Sequence, residues 1–189
     1  MAEERIFFDS EGLKIEGRLD DQPGENAVVI AHPHPLYGGD MHNHVVTAIR
    51  AAYLRASYTT LRFNFRGVGE SEGDYDEGGG EQKDVQAALA LLVDRGKQTI
   101  DLAGYSFGAW VIARGLNQLR EARRVIMVSP PVAFFDFSFL NQNSKIQLVI
   151  AGREDDIAPA DSIRTLIPQW NRDAELVVIP RADHFYGGT

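Results

Sequence analysis

Short apolar runs alternate with helix-like segments along most of this chain, and that alternation limits the possible folds more than any other feature of the sequence. Six runs are rich in β-branched and large apolar residues, as strands buried on both faces of a parallel sheet are. They are AVVIAH from Ala27, TTLRFNF from Thr59, TIDLAG from Thr99, RVIMVS from Arg124, KIQLVIAG from Lys145 and AELVVIP from Ala174. Helical segments lie between them, over residues 42–56, 81–95, 107–119 and 160–170. The alternation predicts right-handed crossovers and an α/β fold with a mostly parallel central sheet and helices on both faces.

The beginning of the chain follows a different pattern, because two strand candidates lie next to each other. RIFFDS and LKIEGRL are separated only by Glu11 and Gly12, a spacing typical of an antiparallel hairpin. This N-terminal hairpin leads into the parallel sheet. With 189 residues and no repeat, low-complexity segment or linker, the sequence predicts a single domain over residues 1–189.

The composition excludes several classes of function. The formal net charge is −8, and an acidic surface without a basic patch repels phosphates, so we expect no nucleic-acid partner. No stretch approaches the roughly 18–20 apolar residues that span a bilayer, and the first residues lack a signal-peptide pattern. The chain has no cysteine, which removes disulfides and thiolate chemistry. We therefore expect a cytoplasmic protein with no membrane span.

A G-x-S-x-G pentapeptide, Gly104 to Gly108, lies where the TIDLAG run gives way to a helical segment. In the context of strand, tight turn and helix, this motif exposes a nucleophilic serine at the carboxyl edge of a sheet, and its glycines avoid the crowding that a Cβ would cause. Ser106 is therefore the candidate nucleophile. The amide of Phe107, which begins the following helix, is a candidate donor to the oxyanion.

A serine hydroxyl needs a base at neutral pH, and the base needs a carboxylate to orient it. His184 is C-terminal to Ser106 and follows the last strand candidate. Asp155 follows the strand candidate before it, which gives the chain order serine, acid, histidine. The sequence favours Asp155 as the acid but leaves two alternatives, Asp156 beside it and Asp136 after the RVIMVS run.

The loop after AVVIA reads HPHPLYGG from His32 to Gly39, and we expect it to supply the second donor to the oxyanion. Pro33 and Pro35 have no N–H group. The amide of His34 is therefore the favoured donor, with the amide of Leu36 as the second choice.

Two other patterns suggest ligand binding but have the wrong spacing. His32 and His34 flank a proline, and in a helix His42 and His44 would point about 200° apart. Neither pair is completed by a known ligand set, so we expect no metal. GVGESEG, which follows Arg66, lacks the spacing of a phosphate-binding loop and carries two glutamates. It favours a turn with the arginine as a structural ion-pair partner, and we expect no cofactor.

Aromatic residues near the predicted site suggest an apolar substrate pocket. The stretch from Pro130 to Ser144 is rich in phenylalanine. It is either a small lid or pocket wall, or a loop whose phenylalanines pack on the core, and the sequence leaves both interpretations open. The candidate pocket residues are Tyr37, Phe135 and Phe137.

Together, five segments resemble the α/β-hydrolase superfamily, and more narrowly its small lidless bacterial hydrolases with an HPHP-x-x-GG loop. The segments are AHPHPLYGGDMHNHVV, TTLRFNFRGVGESEG, AGYSFGAW, GREDDIAP and ADHFYGG, in the order that this family has. The resemblance covers nearly the whole chain. It implies a mostly parallel sheet of about eight strands and a catalytic triad of Ser106, Asp155 and His184.

The chain departs from that family at its end. Related chains continue beyond the catalytic histidine into a final helix that packs on the sheet, whereas only Phe185 to Thr189 follow here. We therefore expect this C-terminal helix to be absent and apolar surface to be exposed. Either the sequence is cut short or a partner subunit covers that face, in which case the protein is a homo-oligomer.

These observations predict a serine hydrolase that cleaves a carboxylic ester or thioester of a small molecule. A peptidase or amidase with the same triad is one alternative, disfavoured because so short a chain has no second domain to hold a peptide. A non-catalytic binding protein is the other alternative, since members of a superfamily lose activity while keeping the scaffold.

Overall fold

The computed structural model describes residues 3–187, which form eight strands and four helices. The strands are β1 Glu4–Ser10, β2 Leu13–Asp20, β3 Asn26–Ala31, β4 Thr59–Phe63, β5 Thr99–Tyr105, β6 Ala122–Val128, β7 Ile146–Gly152 and β8 Glu175–Ile179. The helices are α1 His44–Arg55, α2 Gly79–Asp94, α3 Phe107–Gly115 and α4 Ala160–Trp170. Every strand and helix predicted from the sequence is confirmed, with ends that differ by a few residues.

The eight strands of the described residues form one sheet in the order β1-β2-β4-β3-β5-β6-β7-β8. β2 is antiparallel to both β1 and β4, and the other pairs are parallel. The predicted N-terminal hairpin is therefore confirmed. Because parallel strands point the same way, the loops after β3, β5, β6, β7 and β8 meet at one carboxyl edge, where ligands bind in sheets of this kind.

Helices cover both faces of the sheet, as the sequence predicts. On one face α2, α3 and α4 pack over the main core, which includes the buried side chains of Phe63, Leu89 and Trp170. On the other face α1 packs through Val46 against Val28 and its neighbours. Each large apolar side chain that is fully buried in these layers stabilises the fold by about 1.5–3 kcal/mol.

The face covered by α1 carries partly exposed apolar side chains on its outer strands. Ile126 and Ile150 are partly buried, and Val177, paired with Ile150 across β7 and β8, is 37% exposed. Within residues 3–187, β8 is the last regular element. No helix in this range is long and apolar enough to cross a membrane.

A buried ion pair holds the turn after β4. The Asp84 carboxylate of α2 is fully buried and accepts hydrogen bonds from the Arg66 guanidinium at 2.8 Å and from the Ser10 hydroxyl at 2.7 Å. The hydrogen bond with Asp84 raises the pKa of Arg66 above its ordinary value. The predicted role of Arg66 as a structural ion-pair partner is confirmed, and removal of either charge would leave the other buried without compensation.

Candidate active site

Ser106 lies at the sharp turn between β5 and α3. Its φ of 52° is in the left-handed region, which residues with a Cβ rarely adopt. Its backbone N–H donates to the Val128 carbonyl of β6 at 2.9 Å, which ties the turn to the neighbouring strand. The turn therefore holds a serine at the carboxyl edge in a strained backbone conformation.

The two glycines of the motif allow α3 to lie directly against the sheet. A Cβ on Gly104 would stand 2.5 Å from the Ala109 nitrogen, and a Cβ on Gly108 would stand 2.5 Å from the Ala31 carbonyl oxygen. Both contacts are with backbone atoms, which have little room to shift. The predicted crowding is confirmed, and the close approach brings the start of α3 next to the loop after β3.

His184 follows β8 and contacts Ser106. Its Nε2 atom is 2.9 Å from the Ser106 Oγ atom, and both side chains are buried. The Tyr105 hydroxyl donates to the His184 carbonyl at 2.8 Å, which connects the backbone of the histidine to β5. The structure brings the predicted nucleophile and base within hydrogen-bonding distance.

Asp155 contacts His184 on the side away from Ser106. Its carboxylate oxygens are 2.9 and 3.0 Å from the His184 Nδ1 atom, and Oδ1 also accepts the amides of Ile157 and Ala158. Burial raises the pKa of Asp155, but the hydrogen bonds from His184 and Ala158 outweigh it and hold the pKa below its ordinary value. The carboxylate is therefore ionised at neutral pH and accepts the Nδ1–H of His184.

The other candidate acids have different surroundings. Asp156 is exposed. Asp136 is also exposed, and it accepts hydrogen bonds from the amide and hydroxyl of Ser138. Of the three acids that the sequence left open, Asp155 alone bonds to His184 within residues 3–187.

The residues that carry the predicted oxyanion donors lie close together, with the rings of His34 and Phe107 4.7 Å apart. Among the described residues, neither of their backbone N–H groups donates to another protein group. The amide of Leu36, the second choice, donates to the His34 Nδ1 atom at 3.2 Å and is therefore occupied. This arrangement favours His34 over Leu36 as the partner of Phe107.

His32 supports this loop from inside the core. It is fully buried, its Nδ1–H donates to the Pro33 carbonyl at 2.6 Å, and its Nε2 atom accepts the Phe65 amide at 3.0 Å. Because Nε2 accepts a hydrogen bond, the ring is neutral, and burial lowers its pKa to about 4. His32 thus joins the loop after β3 to the chain that leaves β4.

Mild acid is expected to destabilise the protein through His32. Its pKa is about 4 when folded and 6.5 ordinarily, so the unfolded chain binds more protons in that interval and stability falls as the pH falls through it. The loss between pH 7 and pH 5 should be about 2 kcal/mol. Urea unfolding of the wild type and of His32→Asn at both pH values measures this loss of stability. Between pH 7 and pH 5 the variant should lose less unfolding free energy than the wild type. Equal losses would mean that His32 does not contribute to the pH dependence.

Aromatic side chains surround His34, and we call His34, Tyr37, Tyr75 and Phe135 the aromatic wall. The His34 ring centroid lies 4.9 Å from that of Tyr37 and 6.3 Å from that of Phe135, and the Tyr75 hydroxyl is 3.3 Å from His34 Nε2. Burial lowers the pKa of His34, which keeps its ring neutral. Tyr37 is 87% exposed, so the wall opens to solvent.

Phe137 differs from the other two predicted pocket residues. It is 4% exposed, and its ring lies 5.3 Å from that of Trp170 in the core. This buried position does not support its predicted role in a pocket. The aromatic stretch after β6 therefore combines the two interpretations that the sequence left open, because Phe137 packs on the core while Phe135 belongs to the aromatic wall.

The remaining two histidines bond to groups that are distant in the sequence. The His42 Nδ1 atom accepts from the Arg62 guanidinium at 3.2 Å, and the His44 Nε2–H donates to the Phe185 carbonyl at 2.7 Å. Across residues 3–187, no three His, Asp or Glu side chains converge as a metal site requires.

Two hydroxyl groups of this site were not predicted from the sequence. Ser129 is fully buried directly after β6, and its Oγ donates to Asp155 Oδ2 at 2.7 Å. The Tyr186 hydroxyl lies 2.8 Å from the same Oγ atom. Ser129 follows β6 as Ser106 follows β5, so its position at the carboxyl edge was a usable signal. For Tyr186 the only signal was its nearness in sequence to His184.

Both the sequence and the fold match known proteins over almost the whole chain. The chain is 35% identical over 194 residues to the uncharacterized protein RP471 of Rickettsia prowazekii (strain Madrid E), over 96% of this chain and 82% of the relative. An alpha-beta serine hydrolase homologue from Coxiella burnetii superposes with a TM-score of 0.91 at 34% identity, over 100% of this chain and 92% of that chain. XC6422 from Xanthomonas campestris, an a/b serine hydrolase without lid, superposes with a TM-score of 0.87 at 32% identity, over 97% of this chain and 86% of that chain.

A sequence profile of the alpha/beta hydrolase family matches residues 28–188. This range begins in β3 and contains Ser106, Asp155 and His184 with the strands that carry them. The resemblance to the α/β-hydrolase superfamily is thereby confirmed. The chain belongs to the alpha/beta hydrolase family.

Proposed function

We propose that this protein is a serine hydrolase that cleaves a carboxylic ester or thioester of a small molecule through a covalent acyl-enzyme. The observation that carries the proposal is the continuous contact from Ser106 Oγ to His184 Nε2 at 2.9 Å and from His184 Nδ1 to Asp155 at 2.9 Å. The likeness of the chain to a serine hydrolase homologue, at 34% identity, supports the same chemistry.

In the first half of the reaction, Ser106 Oγ attacks the carbonyl carbon of the substrate while His184 Nε2 takes the hydroxyl proton. The carbonyl oxygen becomes an oxyanion, which accepts hydrogen bonds from the amides of Phe107 and His34. His184 then gives its proton to the departing alkoxide or thiolate, which leaves as an alcohol or thiol. The acyl group is now bound to Ser106 as an ester.

In the second half, water takes the place of the alcohol. Its oxygen attacks the acyl carbon while one of its protons passes to His184, and the same two amides bind the new oxyanion. His184 returns the proton to Ser106 Oγ as the carboxylic acid leaves. The ionised carboxylate of Asp155, whose pKa is held low, stabilises the imidazolium in both halves.

The surroundings of Ser106 favour a small substrate with an apolar part. Tyr37 and Phe135 of the aromatic wall offer an apolar contact surface. A cleft of about 710 Å³ runs beside Trp110 and Leu140, but Ser106 does not line it. Because the aromatic wall is open, we expect activity on simple esters that differ in acyl length.

Labelling with a fluorophosphonate tests the proposal, since such reagents react with serines that a base activates. We expect a single adduct by intact mass, its location on Ser106 by peptide mapping, and its loss in His184→Ala. Absence of label from well-folded wild-type protein would contradict the proposal and favour a non-catalytic binding role.

Kinetics on matched esters and amides define the bond that is cleaved. A nitrophenyl ester and the nitroanilide of the same acid share an acyl group, so the comparison isolates the leaving group. We expect much faster turnover of the ester and of a matched thioester. Faster cleavage of the anilide would identify an amidase instead.

A further inference from the structure

The hydrogen-bond chain of the site continues beyond Asp155 to two hydroxyl groups. Ser129 Oγ is 2.7 Å from Asp155 Oδ2 and 2.8 Å from the Tyr186 hydroxyl oxygen. We propose that Ser129 and Tyr186 are positioning residues, which hold the Asp155 carboxylate in the orientation that His184 requires. This inference rests on the proposed function and extends it to groups that touch neither the substrate nor the reacting atoms.

The proton count fixes the direction of both hydrogen bonds. Ser129 has one hydroxyl proton, and an ionised Asp155 carboxylate can only accept. The Ser129 hydroxyl therefore donates to Asp155, and its oxygen accepts from the Tyr186 hydroxyl. Burial raises the pKa of Tyr186, so the phenol keeps the proton that it donates.

Each oxygen of Asp155 has its own support. Oδ1 accepts the amides of Ile157 and Ala158 at 2.9 and 2.7 Å, whereas Oδ2 accepts the Ser129 hydroxyl. His184 Nδ1 lies almost equally far from the two oxygens, at 3.0 and 2.9 Å. Without the Ser129 hydroxyl, Oδ2 would keep only His184 among the described residues, and the carboxylate could turn about the oxygen that the amides hold.

The backbone of Ser129 adopts an unfavourable conformation to direct this hydroxyl inward. Its φ is 44°, in a region that suits glycine better than serine. Its N–H donates to the Ile150 carbonyl at 2.7 Å, which anchors the residue to β7. A buried serine at a position where glycine would be less strained indicates that its side chain is used.

Tyr186 connects the Ser129 hydroxyl to the segment that carries His184. Its ring packs against the apolar cluster formed by α1, β5 and β6, and lies 6.3 Å from the ring of Tyr105. Tyr105 in turn donates to the His184 carbonyl at 2.8 Å. The hydrogen bond between Tyr186 and Ser129 therefore fixes the segment that carries His184 relative to the end of β6, where the Ser129 hydroxyl bonds to Asp155.

Single-hydroxyl variants separate positioning from folding. Ser129→Ala removes one hydroxyl and Tyr186→Phe removes the other. Ser10→Ala is the matched control, because the Ser10 hydroxyl also donates at 2.7 Å to a buried carboxylate, that of Asp84, outside the site. We expect kcat for an ester to fall about tenfold in Ser129→Ala, with little change in KM, since a hydrogen bond to a charged group is lost. Tyr186→Phe should lower kcat less, and Ser10→Ala should lower only the melting temperature.

Two further measurements exclude a merely structural role. The far-downfield proton NMR signal of the hydrogen bond from His184 Nδ1 to Asp155 should shift in Ser129→Ala and stay in place in Ser10→Ala. Ser129→Gly lacks the hydroxyl but relieves the backbone strain. We therefore expect it to be at least as stable as Ser129→Ala and equally slow.

The outcomes distinguish this inference from the proposed function. If the wild type reacts with a fluorophosphonate while Ser129→Ala turns over at the wild-type rate with an unshifted signal, the positioning role is overturned and the proposed function stands. Wild-type kcat in Ser129→Gly overturns the positioning role as well, because the hydroxyl would then be dispensable. A wild-type protein that neither reacts nor hydrolyses any ester overturns the proposed function, and the positioning role falls with it.

Discussion

A Ser106→Ala variant is expected to hydrolyse esters about 10³-fold more slowly than the wild type, or slower still. The substitution removes only the hydroxyl, whose oxygen lies 2.9 Å from His184 Nε2. Without that oxygen no acyl-enzyme forms, and water must attack the substrate directly. The amides of Phe107 and His34 would still polarise the carbonyl, so a residual rate above the uncatalysed one should remain. Measurement of kcat and KM with a chromogenic ester checks this expectation.

Ser71→Ala is the matched control for this variant. Ser71 and Ser106 are both 8% exposed, and the Ser71 hydroxyl donates to the Asn64 carbonyl in the turn after β4. The same oxygen accepts the Glu16 amide at 3.0 Å. Loss of both buried hydrogen bonds should lower the free energy of unfolding by about 2 kcal/mol and leave turnover unchanged. A Ser106→Ala variant with wild-type turnover would show that another group is the nucleophile. Equal losses of turnover in both variants would indicate a folding defect rather than lost chemistry.

Backbone strain is found at two consecutive strand ends of this site. Ser106 and Ser129 have φ values of 52° and 44°, and each such residue costs about 1–3 kcal/mol. The N–H of each serine donates to the next strand, to Val128 of β6 and to Ile150 of β7. The ladder of the parallel sheet therefore holds both residues in conformations that the isolated chain would avoid, and both hydroxyls are directed into one hydrogen-bond chain.

The elements of the fold were predictable because a sheet covered on both faces leaves continuous apolar runs in the sequence. Helix α4 has the bounds that the sequence predicts, Ala160–Trp170. Helix α3 is shorter than the predicted segment, which reached Leu119, and it ends at Gly115. The amides of Leu116 and Gln118 bond to carbonyls three residues back, which tightens the chain into turns before β6. The apolar periodicity continues through such turns, so it does not show where the helix ends.

Chain order identified Ser106 and His184 as the candidate pair, but it could not separate Asp155 from Asp156. Both acids follow the same strand, and the difference between them is geometric. Asp155 points inward and caps the amides of the residues that follow it, whereas Asp156 is exposed. That choice depends on the path of one turn, which the packing around it determines.

The sequence was also unable to distinguish two phenylalanines after β6 whose surroundings differ. Phe135 and Phe137 are two residues apart and chemically identical, yet Phe135 belongs to the aromatic wall and packs on Trp110, while Phe137 packs on Trp170 in the core. The loop has no regular period from which a sequence pattern could assign the facing direction of its side chains.

Asp155→Asn is expected to lower kcat by about 10³- to 10⁴-fold while the protein stays folded. The amides of Ile157 and Ala158 require an acceptor, so the carbonyl oxygen of the new side chain takes the place of Oδ1. Its NH₂ group then faces His184 Nδ1, where a donor meets the N–H of the ring. Moving the His184 proton to Nε2 relieves this conflict, and in that tautomer the ring cannot accept the proton of Ser106.

Asp156→Asn and Asp136→Asn make the same chemical change at the two acids that the sequence left open. Both side chains are exposed, so we expect each variant to keep wild-type turnover. Measured kcat for the three variants, with thermal unfolding to verify the fold, decides among the acids. A large loss in Asp136→Asn together with an active Asp155→Asn would assign the acid to the loop after β6. That result would contradict the chain of hydrogen bonds from Ser106 through His184 to Asp155 on which the proposed mechanism depends.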